Sequence, residues 1–509
     1  MFLLTGCHYY GTIGLIKYNI YERHLMVVKG FNRLLLSLIT LSIGLGIAGC
    51  EDSHDISNES EINNNEVVVI GIEEGPLPET LALFTDQIKS ELGINVEFST
   101  MPFTEQYQVE MRDLAIGKRF DVISVWPIYM GDMSPYLVPL SEIVEGGEAQ
   151  AYKDMNIDSV LEGYRWVHYY DGQLYALQYD GDVKLLHARI DLLENPIEQV
   201  NFKEKYGYSL NCPTNYQEYH DMASFFTRPA EQLYGTAEIA SFLSYFTFVD
   251  HYMGAGGHFF DPETMKPFPD RDLALKAIEQ MFSMFQKDVA PPEATSMGIE
   301  TVRNQLSIQK RTAFASMWPE VWKWSGDKNI VGDNLETVKS CLWPGGRPDM
   351  AGGRVLAITK NAKNKEAAYK VLKFFADDKR TAALVNDNKT WLDPYRKSHV
   401  QPENYSHLCQ LKPERCEQFT SVIKETIDKG YPVLNIKGSG KYYEVIERNV
   451  TAIIAGELTP ENGLQKMVEG LDDITDRLGR DRQINAYKAY VQRALVPKGL
   501  YPALSEGNE

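Results

Sequence analysis

The sequence predicts an α/β protein built as two lobes, and three observations lead to this prediction. The chain has 509 residues, which is more than one ordinary hydrophobic core holds. Strand-like and helix-like segments alternate from residue 67 to residue 125, as in a mostly parallel sheet with helices on both faces. Hydrophobic residues make up 44% of the chain and aromatic residues 11%, so the body has ample material for packed cores.

The first elements follow from apolar periodicity and from capping residues. In chain order they are a strand at 67–72, a helix that carries Leu81, Phe84, Ile88 and Leu92 and ends at Gly93, a strand at 94–98, a helix capped by Thr104 that ends at Gly117, and a strand at 120–125. Trp126 directly follows the last strand. In such a sheet, this position lies at the edge where ligands bind.

The later elements are less regular. They are a turn and strand at 171–177, a largely helical region at 213–295, a short strand at 311–316 before a tryptophan-rich segment, a strand at 352–358 opened by two glycines, a helix from 365, and an almost entirely helical region from about 413. The sequence GSGK at 438–441 lacks the upstream glycine of a phosphate-binding loop, so we predict a flexible turn there.

Residues 26–50 carry the features of a bacterial lipoprotein signal in the expected order. Lys29 and Arg33 precede an uncharged stretch at 34–49, which has the length of a signal peptide's apolar part and is short for a transmembrane helix. The stretch ends in the lipobox-like sequence Ile-Ala-Gly-Cys, which predicts that Cys50 is lipidated. The alternative is an uncleaved anchor with an incidental cysteine.

This leader predicts where the protein resides. We expect a signal peptide within 1–49, with the true start at Met26, and a lipidated flexible tether at 50–65. The protein is then periplasmic or on the cell surface, attached to the membrane by its N-terminal lipid. Glu51, directly after the cysteine, favours the outer face of the inner membrane.

Charge and cysteine usage exclude several kinds of site. The formal net charge of −19, without a long basic run, argues against nucleic-acid binding. The six cysteines form no CxxC pair and no zinc-like spacing with histidine, so we expect no metal site. In an oxidising compartment the last four can form two disulfides, and Cys409 with Cys416 is one candidate pair. Four buried thiols are the alternative.

Five segments resemble, in the same order, signatures of one protein family. They are FDVISVWPIYMGDMSPYLVPL, DGQLYALQYDGDVKLLHARIDLL, RTAFASMWPEVW, GGRVLAITKNAKNKEAAYKVLKFF and TPENGLQKMVEGL. Together they resemble the sugar-binding, maltose-binding-protein-like branch of the extracellular solute-binding proteins of ABC importers. The resemblance extends from about residue 66 to residue 480.

This resemblance implies the two-lobe periplasmic-binding-protein type II fold, also called a Venus flytrap, with a ligand cleft between the lobes. The first lobe would comprise 66–180 and 353–395, and the second 181–352 and 396–509. The chain would cross between them near 179–183, 352–358 and 391–396. Closure on the ligand would remove its water and present a joined surface to the permease.

The resemblance also implies where a sugar would bind. Sugars combine apolar C–H faces with a ring of hydroxyls, so they suit aromatic platforms beside charged and polar groups. The candidate platforms are Trp126, Tyr179, Trp318 and Trp322, and the candidate hydrogen-bonding residues are Asp180, Asp182, Glu320 and Arg396. For each tryptophan, burial in a core is the alternative.

The predicted function is that of a monomeric, lipid-anchored solute-binding protein. It would bind a carbohydrate and deliver it to the permease subunits of an ABC transporter, without a cofactor and without catalysis. A surface glycoside hydrolase is an alternative, although no GxSxG or HExxH motif is present. A polyamine or an iron chelate is an alternative cargo, and the pairs at 169–170 and 442–443 supply the tyrosines that an iron site needs.

Overall fold

The computed structural model describes residues 66–504. The predicted signal peptide, Cys50 and the tether therefore lie outside the described residues, as do residues 505–509. Within the described part of the chain, no helix is both long enough and apolar enough to cross a bilayer.

The strands occur along the whole body of the chain. They are β1 (Glu66–Glu73), β2 (Ile94–Met101), β3 (Val122–Val125), β4 (Tyr169–Tyr170), β5 (Gln173–Leu174), β6 (Ala176–Asp180), β7 (Leu185–Arg189), β8 (Tyr234–Ala237), β9 (Thr312–Met317), β10 (Val338–Cys341), β11 (Asp349–Met350), β12 (Arg354–Ile358) and β13 (Tyr431–Pro432).

The helices lie between and after these strands. They are α1 (Pro76–Ala82), α2 (Thr85–Leu92), α3 (Gln106–Arg112), α4 (Met130–Met133), α5 (Gly147–Asp154), α6 (Ile190–Leu193), α7 (Pro196–Tyr206), α8 (Tyr216–Phe226), α9 (Ser244–Gly254), α10 (Arg271–Ser283), α11 (Ile299–Ser307), α12 (Glu320–Ser325), α13 (Lys328–Val331), α14 (Lys365–Phe375), α15 (Asp378–Val385), α16 (Glu414–Lys429), α17 (Ser439–Ile454), α18 (Pro460–Leu478) and α19 (Arg480–Tyr490).

Two open sheets organise the fold. A five-stranded sheet has the order β2–β1–β3–β12–β6, with β1 parallel to β2 and β3 and with β12 antiparallel to both of its neighbours. A four-stranded sheet has the order β10–β7–β9–β8. The strands of the first sheet lie within 66–180 and at 354–358, and those of the second lie within 185–341. The chain is therefore a two-lobe α/β protein.

The chain passes between the sheets where backbones approach closely. A Cβ atom on Gly353, whose φ is 76°, would lie 1.8 Å from the carbonyl oxygen of Asp180, so a side chain does not fit. A Cβ atom on Gly181 would lie 2.4 Å from the carbonyl oxygen of Pro394. The amide of Gly181 also donates to the carbonyl of Asp393, at 3.2 Å. The three predicted crossover segments thus pack directly against one another.

The structure corrects two predictions near the start of the body. The single helix predicted around Leu81 and Leu92 is two helices, α1 and α2. The Thr85 hydroxyl donates to the carbonyl of Ala82, at 2.9 Å, which favours a turn there. Thr104 caps no helix, because it lies inside a 3₁₀ turn at Phe103–Glu105 and α3 begins after it.

Two later predictions also change. The region 213–295 contains strand β8 among its helices. The GSGK segment is not a flexible turn, because Gly438 is the N-cap residue of α17 and the next three residues form the first turn of that helix. Its amide donates to Asp132 Oδ1, at 2.9 Å, and the Ser439 hydroxyl oxygen accepts from the amide of Ile436, at 2.9 Å. These bonds hold the segment in place.

The structure contains two disulfides. Cys409 is joined to Cys416, as predicted, and Cys212 is joined to Cys341. The second bridge ties the loop before α8 to strand β10 in the second sheet. The two bridges close loops of very different size, since their sequence separations are 7 and 129 residues.

We expect the long-loop disulfide to stabilise the protein more. Chain-entropy arithmetic gives about 5 kcal/mol for a loop of this length and about 2.5 kcal/mol for the short one. The double variant Cys212→Ala/Cys341→Ala should therefore lose about 2.5 kcal/mol more unfolding free energy in urea than Cys409→Ala/Cys416→Ala, which is its matched control. An equal or larger loss in the short-loop variant would contradict this ranking.

Candidate functional site

A cavity of about 250 Å³ lies where strand ends of both sheets meet. The carboxyl ends of β1, β3 and β6 reach it from the first sheet, together with the start of antiparallel β12, and the end of β9 reaches it from the second. Its lining consists of Glu73, Glu74, Pro76, Leu77, Phe103, Trp126, Asp180, Asp182, Phe242, Leu243, Ile299, Trp318, Glu320, Arg354, Trp391 and Asp393. Of the eight predicted ligand-binding residues, five line it: Trp126, Asp180, Asp182, Trp318 and Glu320.

Aromatic side chains enter the cavity from both lobes. Phe103 packs edge-on against Trp126, with ring centroids 4.8 Å apart, and edge-on against Phe242 of the second lobe, at 5.1 Å. Trp318 lies on the second-lobe side, at the end of β9. The indole Nε1 atoms of Trp126 and Trp318 are buried and have no hydrogen-bond partner among residues 66–504. The cavity thus offers apolar faces beside free donors.

A buried arginine connects the first-lobe strand ends. The Nε atom of Arg354 donates to Glu73 Oε1 at 2.6 Å, and its Nη1 atom donates to Asp182 Oδ2 at 3.2 Å. Its guanidinium carbon lies 4.2 Å from the ring centroid of Trp126. Sequence analysis missed Arg354 and Glu73. Glu73 is the last residue of β1 and Arg354 is the first residue of antiparallel β12, so both lie at the same edge of the sheet as Trp126. The rule that ligands bind at this edge would have identified them.

Tyr179 does not line the cavity, and instead it contacts the Glu73–Arg354 pair through Ser124. Its hydroxyl lies 2.7 Å from Ser124 Oγ, and Ser124 Oγ donates to Glu73 Oε2 at 3.1 Å. Because successive side chains of a strand point to opposite faces, Tyr179 turns into the first-lobe core while its neighbour Asp180 reaches the cavity. Tyr179 is therefore linked to Arg354 by three hydrogen bonds, through Ser124 and Glu73.

Four carboxyl groups of the cavity, Asp180, Asp182, Glu320 and Asp393, have pKa values raised chiefly by burial. Burial raises the pKa of Asp180 and Asp393 well above the usual range, and neighbouring carboxylates raise it further. Burial raises the pKa of Glu320 to about 7, although Arg303 and Lys323 nearby oppose the change. Asp180 Oδ1 accepts the backbone amide of Asp393, at 2.7 Å. These acids can be neutral and donate a hydrogen bond to a ligand near neutral pH.

The structure places Trp322 in the core, away from the cavity. Its ring stacks on Phe419 of α16, with centroids 3.9 Å apart and an interplanar angle of 4°. It is fully buried. Glu320 and Trp322 are two positions apart on α12, so their side chains point to different faces of the helix. Glu320 faces the cavity, and Trp322 faces the neighbouring helix.

Arg396 is also fully buried outside the cavity. Its Nη1 atom donates to the carbonyl of Asn156 at 3.0 Å and contacts Ser159 Oγ, and it lies 3.5 Å from Asp378 Oδ1. These contacts attach the last crossover segment to the first lobe. Trp391 and Asp393, earlier in the same segment, line the cavity instead.

Within residues 66–504, no group of three or more His, Cys, Asp or Glu side chains is arranged to hold a metal ion.

Solved structures share the fold of this chain. The maltose-bound MalE3 protein of T. maritima is 21% identical, with a TM-score of 0.66, and the alignment covers 81% of this chain and 100% of that one. An ABC transporter solute binding protein from Agrobacterium radiobacter in complex with ribitol is 18% identical, with a TM-score of 0.65 and coverages of 80% and 98%. An ABC substrate-binding protein from Listeria monocytogenes in complex with cycloalternan is 14% identical, with a TM-score of 0.62 and coverages of 82% and 100%.

Sequence comparison gives the family. No curated protein matches the chain. The family described as bacterial extracellular solute-binding protein matches residues 75–382, which is more than half of the chain. This match confirms the family resemblance, and four of the five sequence segments lie within it, while TPENGLQKMVEGL at 459–471 lies beyond it. The protein belongs to the bacterial extracellular solute-binding protein family.

Proposed function

We propose that the protein captures a small carbohydrate or sugar alcohol outside the cytoplasm and delivers it to the permease subunits of an ABC importer. One observation carries the proposal. Aromatic side chains from both lobes meet in a cavity that also holds hydrogen-bonding groups without partners in the protein. The proteins of similar fold that are described with maltose, ribitol and cycloalternan support the ligand class.

The chemistry of the cavity fits a sugar. The C–H faces of a pyranose ring can pack on the rings of Trp126 and Trp318, while its hydroxyls replace the missing partners of the two indole N–H groups. Glu320 and Asp393 can exchange hydrogen bonds with further hydroxyls. The volume of about 250 Å³ lies below that of typical sites for drug-sized ligands, which favours one or two sugar rings.

A thermal-shift screen tests the ligand class. A ligand at 100 times its Kd adds about 2.7 kcal/mol to the unfolding free energy, so a specific sugar or sugar alcohol should raise the melting temperature clearly. Stabilisation only by spermidine or by a ferric chelate would contradict the proposal and favour those cargoes. Release of product from oligosaccharides would instead favour the surface glycoside hydrolase.

We expect Trp126→Ala and Trp318→Ala to weaken sugar binding. Loss of a stacking aromatic removes about 1 to 3 kcal/mol of contact, or one to two decades in Kd by isothermal titration. Trp322→Ala is the control, because its ring packs on Phe419 outside the cavity. That variant should lose about 3 to 5 kcal/mol of unfolding free energy and keep its ligand affinity while folded. Normal binding by both cavity variants would refute this site.

The proposal includes a lipid anchor on Cys50, at the outer face of the inner membrane. The sequence motif of residues 29–50 supports it. We expect Cys50→Ala to accumulate as an unprocessed precursor, because the acylated thiol is what the lipoprotein signal peptidase requires. Mass spectrometry of the membrane and soluble fractions measures the outcome. Ser53→Ala, a change outside the motif in the predicted tether, is the control and should mature normally. Normal processing of the Cys50 variant would remove the anchor from the proposal.

A further inference from the structure

The cavity carries far more negative than positive groups. Six carboxyl side chains line it, and Arg354 is its one basic lining residue. The carboxyl residues are Glu73, Glu74, Asp180, Asp182, Glu320 and Asp393. Glu74 is exposed at the rim, while the other five are buried or nearly so. A neutral ligand does not need this excess of carboxyl groups over basic groups. The carboxyl groups that have no hydrogen-bond or ion-pair partner within the described residues therefore indicate what the ligand must supply.

Arg354 accounts for two of the five buried groups. It pairs with Glu73 at 2.6 Å and with Asp182 at 3.2 Å. A third, Asp180, accepts one backbone amide. The remaining two, Glu320 and Asp393, are 5% and 2% exposed, and the atoms Glu320 Oε2 and Asp393 Oδ1 have no hydrogen-bond partner in the part of the chain that the structure describes. Two nearly buried carboxyl oxygens at the cavity are thus left for a ligand.

Of the nearest cations behind the cavity, Lys323 is fully hydrogen-bonded, whereas the buried Nε and Nη1 atoms of Arg303 have no hydrogen-bond partner within the described residues. The ammonium group of Lys323 donates to the backbone carbonyls of Val385, Thr390 and Leu392, at 3.1, 3.2 and 2.7 Å, which uses all three of its donors. The guanidinium of Arg303 lies 3.8 Å from the ring centroid of Trp324 and 5.4 Å from that of Trp391. Both lower the pKa of Glu320, but neither forms a hydrogen bond with it within the described residues.

A ligand ammonium group would complete this site. Buried carboxylates without a partner are costly, and a positive group at hydrogen-bonding distance offsets that cost. The rings of Trp126 and Trp318 also attract a cation over their faces. Two protein cations already lie near these rings. The guanidinium carbon of Arg354 is 4.2 Å from the ring centroid of Trp126, and the ammonium nitrogen of Lys184 is 5.8 Å from that of Trp318.

We propose that the ligand is a small saccharide bearing a primary amine, held by an ion pair between its ammonium group and the carboxylates of Glu320 and Asp393. This inference rests on the proposed function, because the saccharide ring uses the same aromatic cavity. It adds the charge of the ligand, which the fold does not determine. Burial raises the pKa of both acids in the cavity, and a bound ammonium group would lower both values by favouring the ionised forms.

Three disaccharides of one backbone test the charge. Chitobiose carries amines at C2 of both rings, N,N′-diacetylchitobiose carries acetamides there, and cellobiose carries hydroxyls. Titration calorimetry at pH 7.5 should give a Kd for chitobiose at least 10-fold lower than for either of the others. D-glucosamine, N-acetyl-D-glucosamine and D-glucose repeat the comparison with one ring. Equal or tighter binding of the neutral forms, or no binding of any of the six, would overturn the amine inference.

Charge-neutral variants test the two residues. Glu320→Gln and Asp393→Asn keep the shape and hydrogen-bonding capacity of the side chains, so each should weaken chitobiose binding at least 10-fold. Any binding of cellobiose should change less than about 3-fold. Glu79→Gln, an exposed change on α1 outside the cavity, is the control. A proportional loss for charged and neutral disaccharides would contradict the ion pair.

The outcomes separate this inference from the proposed function. Binding of neutral saccharides alone would retain a carbohydrate-binding protein and reject the amine. Binding of spermidine without any saccharide would reject the carbohydrate proposal itself, because the ammonium groups would then suffice. Selective binding of the amino saccharides would support both.

Discussion

The first-lobe half of the site depends on the ion pairs of the Arg354 guanidinium group. This group joins Glu73 at the end of β1, Asp182 in the crossover after β6, and its own strand β12, and it lies against Trp126 after β3. Four strand ends are therefore held by one buried cation. Removing one member of such a group leaves a buried charge without a partner, which costs about 3 to 5 kcal/mol. The main role of the group is to place these side chains relative to one another.

The crowding of carboxyl groups follows from the packing of the crossover segments. Gly353 brings its backbone against the carbonyl of Asp180, and Gly181 brings its backbone against Pro394. These contacts place the acidic side chains of two segments, Asp180 and Asp182 in one and Asp393 in the other, beside Arg354 of the third. Their mutual repulsion and burial raise their pKa values. The charge of the cavity is thus a consequence of how closely the chain crosses between lobes.

Sequence periodicity predicted part of this site and could have predicted more. Trp126 and Trp318 were identified because they end strands, and the same rule applied to Glu73 and Arg354 would have completed the group. Strand alternation separates Tyr179 from Asp180, and the helical period separates Trp322 from Glu320. The position of Arg396 could not be predicted, because its partners Asn156 and Asp378 are distant in sequence and meet only in the folded chain.

The C-terminal helices also shape the cavity, although the family match ends at residue 382. Leu243, which lines the cavity, has a φ of 75°, which is strained for a bulky residue. No side chain at this position caps α9. Instead, Glu447 of α17 accepts the amides of Ser244 and Tyr245, at 3.2 and 2.5 Å. A carboxylate at the first turn of a helix stabilises that end. This distant residue therefore holds the strained turn that presents Phe242 and Leu243 to the ligand.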